Sequence, residues 1–345
     1  MVRVIAVEPG AVAAAIGAAV APAADLLRAG GLVAFPTETV YGLGANALDP
    51  AAVGRIFRAK GRPADNPVIV HAPDAETAWR VTTGPTPLAM LLAERFWPGP
   101  LTLVLDAADA LPRAATAGLP SVAVRVPDHA VALALLRAAW VPVAAPSANR
   151  SGRPSPTSAA HVLADLGDAL DIVVDGGPCR VGVESTVVDA RGVVPVVLRE
   201  GAITREQLLE ASGDGAAEGA VEAERGAGSA GLPDLAASPG TRHRHYAPAC
   251  QVVIAEPGLG RRVAADMAAA SGRRVGLVAT VAAPPGVVAV ARYTDAADLA
   301  VRLYQALRDA ETAGVTDLVV EGVPESGIGR AVMDRLRRAA EGSGA

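Results

Sequence analysis

Short apolar runs that stop at proline or glycine alternate along this chain with stretches of helical spacing, and this alternation constrains the fold more than any other feature. Residues 32–35 read as a buried strand ending at Pro36, after a helix that stops at Gly30-Gly31. The apolar run 11–24 leads into that helix; Gly17 and Pro22 interrupt it, and it is too short to span a bilayer. Asp49-Pro50 supplies an N-cap and a first-turn proline for a helix running to about residue 59, which leaves Lys60 and Arg62 beyond it. Further strands are expected at 68–71, 101–105, 122–126, 143–145, 172–175, 185–189 and 196–198. Helices are expected at 87–96, 129–139, 158–166 and 204–211, the last opening on a Thr-x-x-Gln capping pattern. Such alternation gives an α/β sheet covered by helices.

The 345 residues suggest two domains, and 51% hydrophobic content supplies their cores. Residues 212–237 are rich in Gly, Ala and Glu without periodicity and read as a flexible linker. Within the connection, 238–248 (Ser-Pro-Gly-Thr-Arg-His-Arg-His-Tyr-Ala-Pro) is dense in polar, cationic and aromatic groups. From 250 a smaller open α/β sheet is expected, with strands 252–254, 275–278, 287–291 and 318–321 and helices 261–270, 296–313 and 329–340. The expected division is therefore 1–211, a connection 212–249, and 250–345. A net charge of −5 argues against a protein that coats nucleic acid by charge alone. Cys179 and Cys250 form neither metal spacing nor a disulfide framework, which fits a reducing, cytoplasmic setting. No secretory leader pattern or membrane span is expected.

Polar loop chemistry is concentrated in the first half. Lys60 is the only lysine among 31 basic residues, and it lies with Arg58 and Arg62 around Gly61, close to Asn66. Three cations and a glycine in five residues suit an anion, by point charge and planar fork; the bland reading is a solvated helix end. Thr37, Glu38, Thr39 and Tyr41 leave the end of a strand, where ligands collect in open α/β sheets; a polar turn satisfying its own backbone is the alternative. Alternation places Ser121, Ala123 and Arg125 on one face of a core strand. A buried Arg125 needs a counter-ion, and no acid is near in sequence, so a distant Asp or Glu or a ligand carboxylate must supply it. The loop 146–155, with Ser147, Asn149, Ser151 and Ser155, suits an anion or a ribose, or is an ordinary capped turn. Glu184-Ser185-Thr186 and Leu198-Arg199 are further polar strand ends. His71 ends a strand, where most lone histidines are structural.

Together these segments spell a family pattern. P-T-E-T-V-Y-G-L-G (36–44), K-G-R-P-x-x-N-P-x-x-x-H (60–71), W-P-G-P-L-T (97–102), S-V-A-V-R-x-P (121–127), P-S-A-N-x-S-G (146–152), V-E-S-T-V-V-D (183–189) and L-R-E-G-A-I (198–203) closely resemble the YrdC-type threonylcarbamoyl-AMP synthases over about residues 22–211. The His-Tyr-Ala-Pro block and the trailing domain resemble the longer, two-domain form. The resemblance implies a YrdC-like twisted open sheet followed by a smaller Rossmann-like domain. It implies that L-threonine, bicarbonate and ATP give threonylcarbamoyl-adenylate and pyrophosphate, with Mg2+ arriving on the ATP and no resident metal site. A separate transferase complex would then act on tRNA, which this protein meets only indirectly. It implies threonine contacts from Thr39, His71, Arg125, Ala145 (backbone) and Ser185. It implies nucleotide contacts from Lys60, Arg62, Asn66, Ser121, Ser147, Ser155 and Arg199, with Lys60 and Arg62 catalytic and Tyr246 folding over the site as a lid. Arg125 would find its partner in the substrate carboxylate. The alternatives are an RNA-binding YrdC-like module without adenylate chemistry, a carbamoyl-transfer enzyme of the hydrogenase-maturation type, for which length and cysteines are lacking, and a regulatory protein with nucleotide in the second domain, where no Gly-x-Gly-x-x-Gly occurs.

Overall fold

The computed structural model describes residues 2–212 and 246–343; the expected linker from 213 and the polar block up to 245 lie outside the described residues. The first part runs β1 (Arg3–Ala6), α1 (Ala13–Arg28), β2 (Val33–Phe35), β3 (Gly42–Asn46), α2 (Pro50–Lys60), β4 (Ile69–His71), α3 (Ala75–Trp79), α4 (Pro87–Phe96) and β5 (Leu101–Asp106). It continues with α5 (Arg113–Thr116), β6 (Ser121–Arg125), α6 (Ala130–Ala139), β7 (Val143–Ala144), α7 (Ala159–Leu166), β8 (Ile172–Asp175), β9 (Thr186–Asp189), β10 (Val196–Arg199) and α8 (Arg205–Ser212). Among the described residues these ten strands form one mixed sheet in the order β1-β8-β2-β3-β7-β4-β6-β5-β9-β10.

Local chemistry accounts for most boundaries. Asp49 accepts from the Ala51 amide at 2.8 Å and Pro50 fills the first turn of α2. Thr204 and Gln207 exchange the expected capping-box bonds at the start of α8. Two expectations are corrected. Helix α1 runs unbroken through Gly17 and Pro22, because Ile16, Val20, Ala23, Ala24 and Leu27 bury one stripe against α6 and outweigh both breakers. Lys60 is the last residue of α2, inside rather than beyond the helix, which ends at Gly61 in the left-handed region. Strand β3 follows directly on the segment that ends at Tyr41 and pairs antiparallel with β2. Gly44 permits this, since a Cβ there would lie 2.9 Å from the Phe35 ring.

Alternation along the strands creates two unlike faces. Ala34, Leu43, Val70, Val122 and Val124 face the main core, which also holds Ile56, Leu92 and Leu166. On the opposite face, Val33, Phe35, Val143 and Val174 meet α1 and α6 at one end of the sheet. Ile69, Val104, Ala123, Val187 and Leu198 form a small apolar cluster at the other. Between these two clusters no large core among the described residues covers the sheet, and polar side chains collect there.

The second sheet contains β11 (Gln251–Ala255), β12 (Val275–Ala279), β13 (Val288–Arg292) and β14 (Asp317–Glu321), all parallel, in the order β11-β14-β12-β13. Helix α9 (Gly260–Ser271) covers one face; α10 (Ala296–Thr312) and α11 (Gly329–Gly342) cover the other. The α10 and α11 side meets the first domain, and Val40 and Val183 join its apolar cluster. Arg308 makes a two-pronged contact with buried Asp165 at 3.0 and 2.9 Å. Gly182, at φ +80°, lets its loop touch α10, where a Cβ would stand 2.3 Å from the Ala300 carbonyl oxygen.

Candidate active site

The uncovered stretch of the first sheet forms the floor of a cavity of about 570 Å³, mouth included. Thr39, Arg62, His71, Arg125, Ala145, Ser147, Ser185, Arg199 and Tyr246 of the expected residues line it, with Glu184 beside them. Lys60, Asn66, Ser121 and Ser155 are buried but do not line it. Lys60, Asn66 and Ser155 contact residues of its walls, and Ser121 stands at the other end of β6 from Arg125.

The floor follows from register. His71 on β4 is paired with Arg125 on β6, so both rise from the same face. The Ala145 amide donates to the Ile69 carbonyl at 2.8 Å, bringing the end of β7 beside them. Arg125 Nε donates to the Gly99 carbonyl at 3.3 Å, within the Trp-Pro-Gly-Pro segment. Its counter-ion is Glu38: Nη2 and Oε1 stand 2.8 Å apart, with both side chains buried. The distant acid thus exists within the chain, and Arg125 does not wait for a ligand to be paired. This contact lacks hydrogen-bond geometry. Among the described residues Arg125 Nη2, both Glu38 oxygens and His71 Nδ1 have no hydrogen-bond partner. Burial, and then the Arg125 charge, pull His71 down to about 3, so its ring is neutral at physiological pH.

Thr37 and Thr39 both line the cavity, and Thr37 also satisfies its own turn. Thr37 Oγ1 serves its own turn, donating to the Val40 carbonyl at 2.7 Å and accepting from the Thr39 and Val40 amides. Thr39 is oriented by Thr37, hydroxyl to hydroxyl at 2.8 Å, and faces the cavity. The Tyr41 hydroxyl is engaged elsewhere, donating to the Gly177 carbonyl at 2.7 Å.

The cationic wall is built in layers. Arg62 Nη2 donates to Asn66 Oδ1 at 2.6 Å and to the Pro67 carbonyl at 2.8 Å, which fixes its fork. Burial, and then Arg199, lower Arg62 to about 10. Lys60 Nζ donates to the carbonyls of Ser147 and Asn149 at 2.5 Å each, so it braces the loop that carries Ser147. Burial, and then Arg62, hold its pKa well below the usual lysine value. Arg199 donates to the Ser185 carbonyl and hydroxyl at 3.0 and 3.1 Å, and that hydroxyl also meets Thr102 Oγ1 at 2.7 Å.

Tyr246 closes one side. It is buried at φ 64°, stacks on Tyr304 with ring centres 5.4 Å apart, and lies under the Arg335 guanidinium at 5.7 Å. Glu184 accepts from Ser155 at 2.6 Å, from the Tyr304 hydroxyl at 2.8 Å and from Arg335 Nε at 3.0 Å. Sequence reading missed Tyr304 and Arg335. The signal was available: Arg335 interrupts the apolar stripe of Val332, Leu336 and Ala339, and a charged residue on such a stripe demands a buried partner.

A family model described as telomere recombination, covering the Sua5, YciO and YrdC proteins, matches residues 25–201. A second, described as the threonylcarbamoyl-AMP synthase C-terminal domain, matches 203–341. The threonylcarbamoyl-AMP synthase of Pyrococcus abyssi is 45% identical over 92% of this chain and 92% of its own length. That of Bacillus subtilis is 45% identical over 94% and 93%. The crystal structure of P. abyssi Sua5 complexed with L-threonine superposes with a TM-score of 0.86 at 40% identity, covering all of both chains. The chain therefore belongs to the threonylcarbamoyl-AMP synthase family, in the form that carries the second, C-terminal domain.

Proposed function

We infer that this protein is an L-threonylcarbamoyladenylate synthase, a nucleotidyltransferase that uses L-threonine and ATP in tRNA modification. Bicarbonate supplies the carbamoyl carbon in this reading, and pyrophosphate leaves. One observation carries the assignment of the substrates within the cavity. Arg125 presents a buried guanidinium to the hollow, neutralised from behind by Glu38, with Nη2 lacking a hydrogen bond among the described residues. A threonine zwitterion adds no net charge there, and its carboxylate completes the hydrogen bonding that Glu38 leaves undone.

In this assignment Thr39, neutral His71, the Ala145 backbone and Ser185 surround threonine. Arg62, Ser147 and Arg199 face the nucleotide phosphates, and Tyr246 walls off the adenylate. Lys60 and Asn66 serve the nucleotide by holding the Ser147 loop and the Arg62 fork. Ser155 acts through Glu184, and Ser121 shares the Arg125 face of β6 but stands at the strand's other end, outside the cavity lining. The chemistry needs no nucleophilic side chain. N-carboxy-threonine is unstable in water, so the site must hold its precursors together, exclude solvent and present a carboxylate to the α-phosphorus.

Magnesium is proposed as part of the incoming nucleotide. Among the described residues no group of His, Cys, Asp and Glu is arranged to hold a metal. The two carboxylates at the cavity, Glu38 and Glu184, are each paired with an arginine. The product would pass to a separate transferase complex that acts on tRNA, so tRNA contact is indirect. Among the described residues no helix is long and apolar enough to cross a membrane. A cytoplasmic setting is proposed from the buried free thiols Cys179 and Cys250 and from the tRNA destination of the product.

The test is pyrophosphate release from ATP, measured with and without threonine and bicarbonate. Release that requires both is expected. Release indifferent to threonine would overturn the assignment.

A further inference from the structure

The roles above use the first domain and Tyr246, yet they leave a wholly buried charge from the last helix of the second domain unexplained. Arg335 sits on α11, donates through Nε to Glu184 Oε2 at 3.0 Å and through Nη1 to Asp334 at 2.8 Å, and has no solvent exposure. Tyr304 on α10 is equally buried, with its hydroxyl 2.8 and 3.0 Å from the two Glu184 oxygens. Among the described residues, two of the three side chains that hydrogen-bond to Glu184 therefore come from the second domain. Stability does not account for this contact, because a well-packed apolar pair in such a place is often as stable as an ionic one.

Position explains it better. Glu184 lines the cavity together with Arg62, Arg125 and Arg199, and is the one acidic side chain among the described residues that does so; Glu38 stands behind Arg125. Glu184 also precedes Ser185, whose carbonyl and hydroxyl receive Arg199. A carboxylate left to itself in this hollow would turn to those arginines. It would compete with phosphate oxygens for the same donors and repel a triphosphate across a short, poorly screened distance.

We propose that Arg335 and Tyr304 are positioning residues that hold Glu184 against the second domain, so that it does not compete with the nucleotide phosphates for the cavity's arginines. The second domain is then part of the ATP site without touching ATP. The same two side chains stack on and cap Tyr246, so the wall and the charge balance of the site are set together. This inference rests on the assignment of the arginines to the nucleotide.

The experiment uses the full chain and reads KM for ATP, KM for threonine and kcat, alongside ATP affinity by calorimetry. Arg335→Met is expected to raise KM for ATP about tenfold or more while KM for threonine changes little. Removing the carboxylate as well, in the pair Glu184→Gln with Arg335→Met, is expected to bring KM for ATP back to within about threefold of the parent, a coupling that a double-mutant cycle isolates. Tyr304→Phe, which keeps the stack on Tyr246 and loses the hydroxyl, should shift KM for ATP in the same direction by less. Should Arg335→Met fail to fold, the paired variant and Tyr304→Phe carry the test. Equal loss toward both substrates, or a paired variant as poor in ATP binding as the single one, overturns the proposal and marks a contact that only holds the domains together. If the parent binds ATP but releases no pyrophosphate, the synthase reading fails while calorimetry still decides this one.

Discussion

Arg125 and Glu38 stand 2.8 Å apart inside the first domain; Arg335 and Glu184 stand 3.0 Å apart across the two domains. Both pairs are buried and both border the same cavity, yet their hydrogen bonding differs. Glu184 is saturated by Ser155, Tyr304 and Arg335. Among the described residues Glu38 accepts no hydrogen bond and Arg125 Nη2 donates none. A buried polar group without partners is costly, by roughly 1–3 kcal/mol and more for a charged group. A fold tolerates that where a ligand completes the set. The contrast lies in the carboxylates, since Arg335 Nη2, like Arg125 Nη2, has no hydrogen-bond partner among the described residues: the satisfied Glu184 belongs to the architecture of the site, and the unsatisfied Glu38 to what it binds.

The sharpest way to break this contrast is to truncate each arginine. Arg125→Ala is expected to lower kcat/KM for threonine by about 100-fold or more, near 2.7 kcal/mol of transition-state stabilisation, with KM for ATP changing far less. Threonine-saturation kinetics of pyrophosphate release check it, and an unchanged threonine requirement would place the carboxylate elsewhere. Arg335→Ala should instead appear first in stability. It leaves Glu184 buried and unpaired, which destabilises by about 3–5 kcal/mol, readable by chemical denaturation.

The nucleotide wall comes next. Arg62→Ala is expected to raise KM for ATP by about tenfold to a hundredfold, because it removes a fork that Asn66 and the Pro67 carbonyl hold in place. Asn66→Ala should reproduce part of that loss with Arg62 still present. Measured ATP affinities of the two variants separate the charge from its orientation.

Acid titration gives a smaller and more specific reading. Burial alone would raise the Glu184 carboxyl, but Arg335 and then Arg199 outweigh it and hold it at about 2, below the ordinary 4.5. A carboxyl with a lower pKa in the folded chain stabilises fully above the ordinary value and loses that contribution as pH falls from about 4.5 toward about 2. Stability should therefore drop over that window, and the drop should be shallower in the Glu184→Gln chain. His71 gives the smallest effect: held at about 3, it should add no inflection to the pH–rate profile between about pH 6 and 8.

Much of the cavity was legible because its residues lie at strand ends and in loops marked by Gly, Pro and Ser, where side-chain type and backbone geometry are coupled locally. Alternation alone put Arg125 on the face opposite Val122 and Val124, and the Asp49-Pro50 cap placed the start of α2. Alternation could not name the acid that meets Arg125. Glu38 lies on another strand end, and only the sheet order brings β2 and β6 to one hollow. Likewise Lys60 reads as a phosphate cation by composition, whereas its burial turns it to the carbonyls of Ser147 and Asn149. Helix α1 passed two breakers because tertiary packing against α6 exceeds local propensity.

By itself, the order of residues determined the α/β class, the two successive sheets and the family pattern, since strand and helix periods and turn chemistry are written over a few neighbouring positions. Only the tertiary structure decided that the second domain reaches Glu184, at the cavity's edge, through Tyr304 and Arg335, 120 and 151 positions away in the chain. A contact between side chains so far apart in the chain depends on how two separate cores dock, and no local period carries that information.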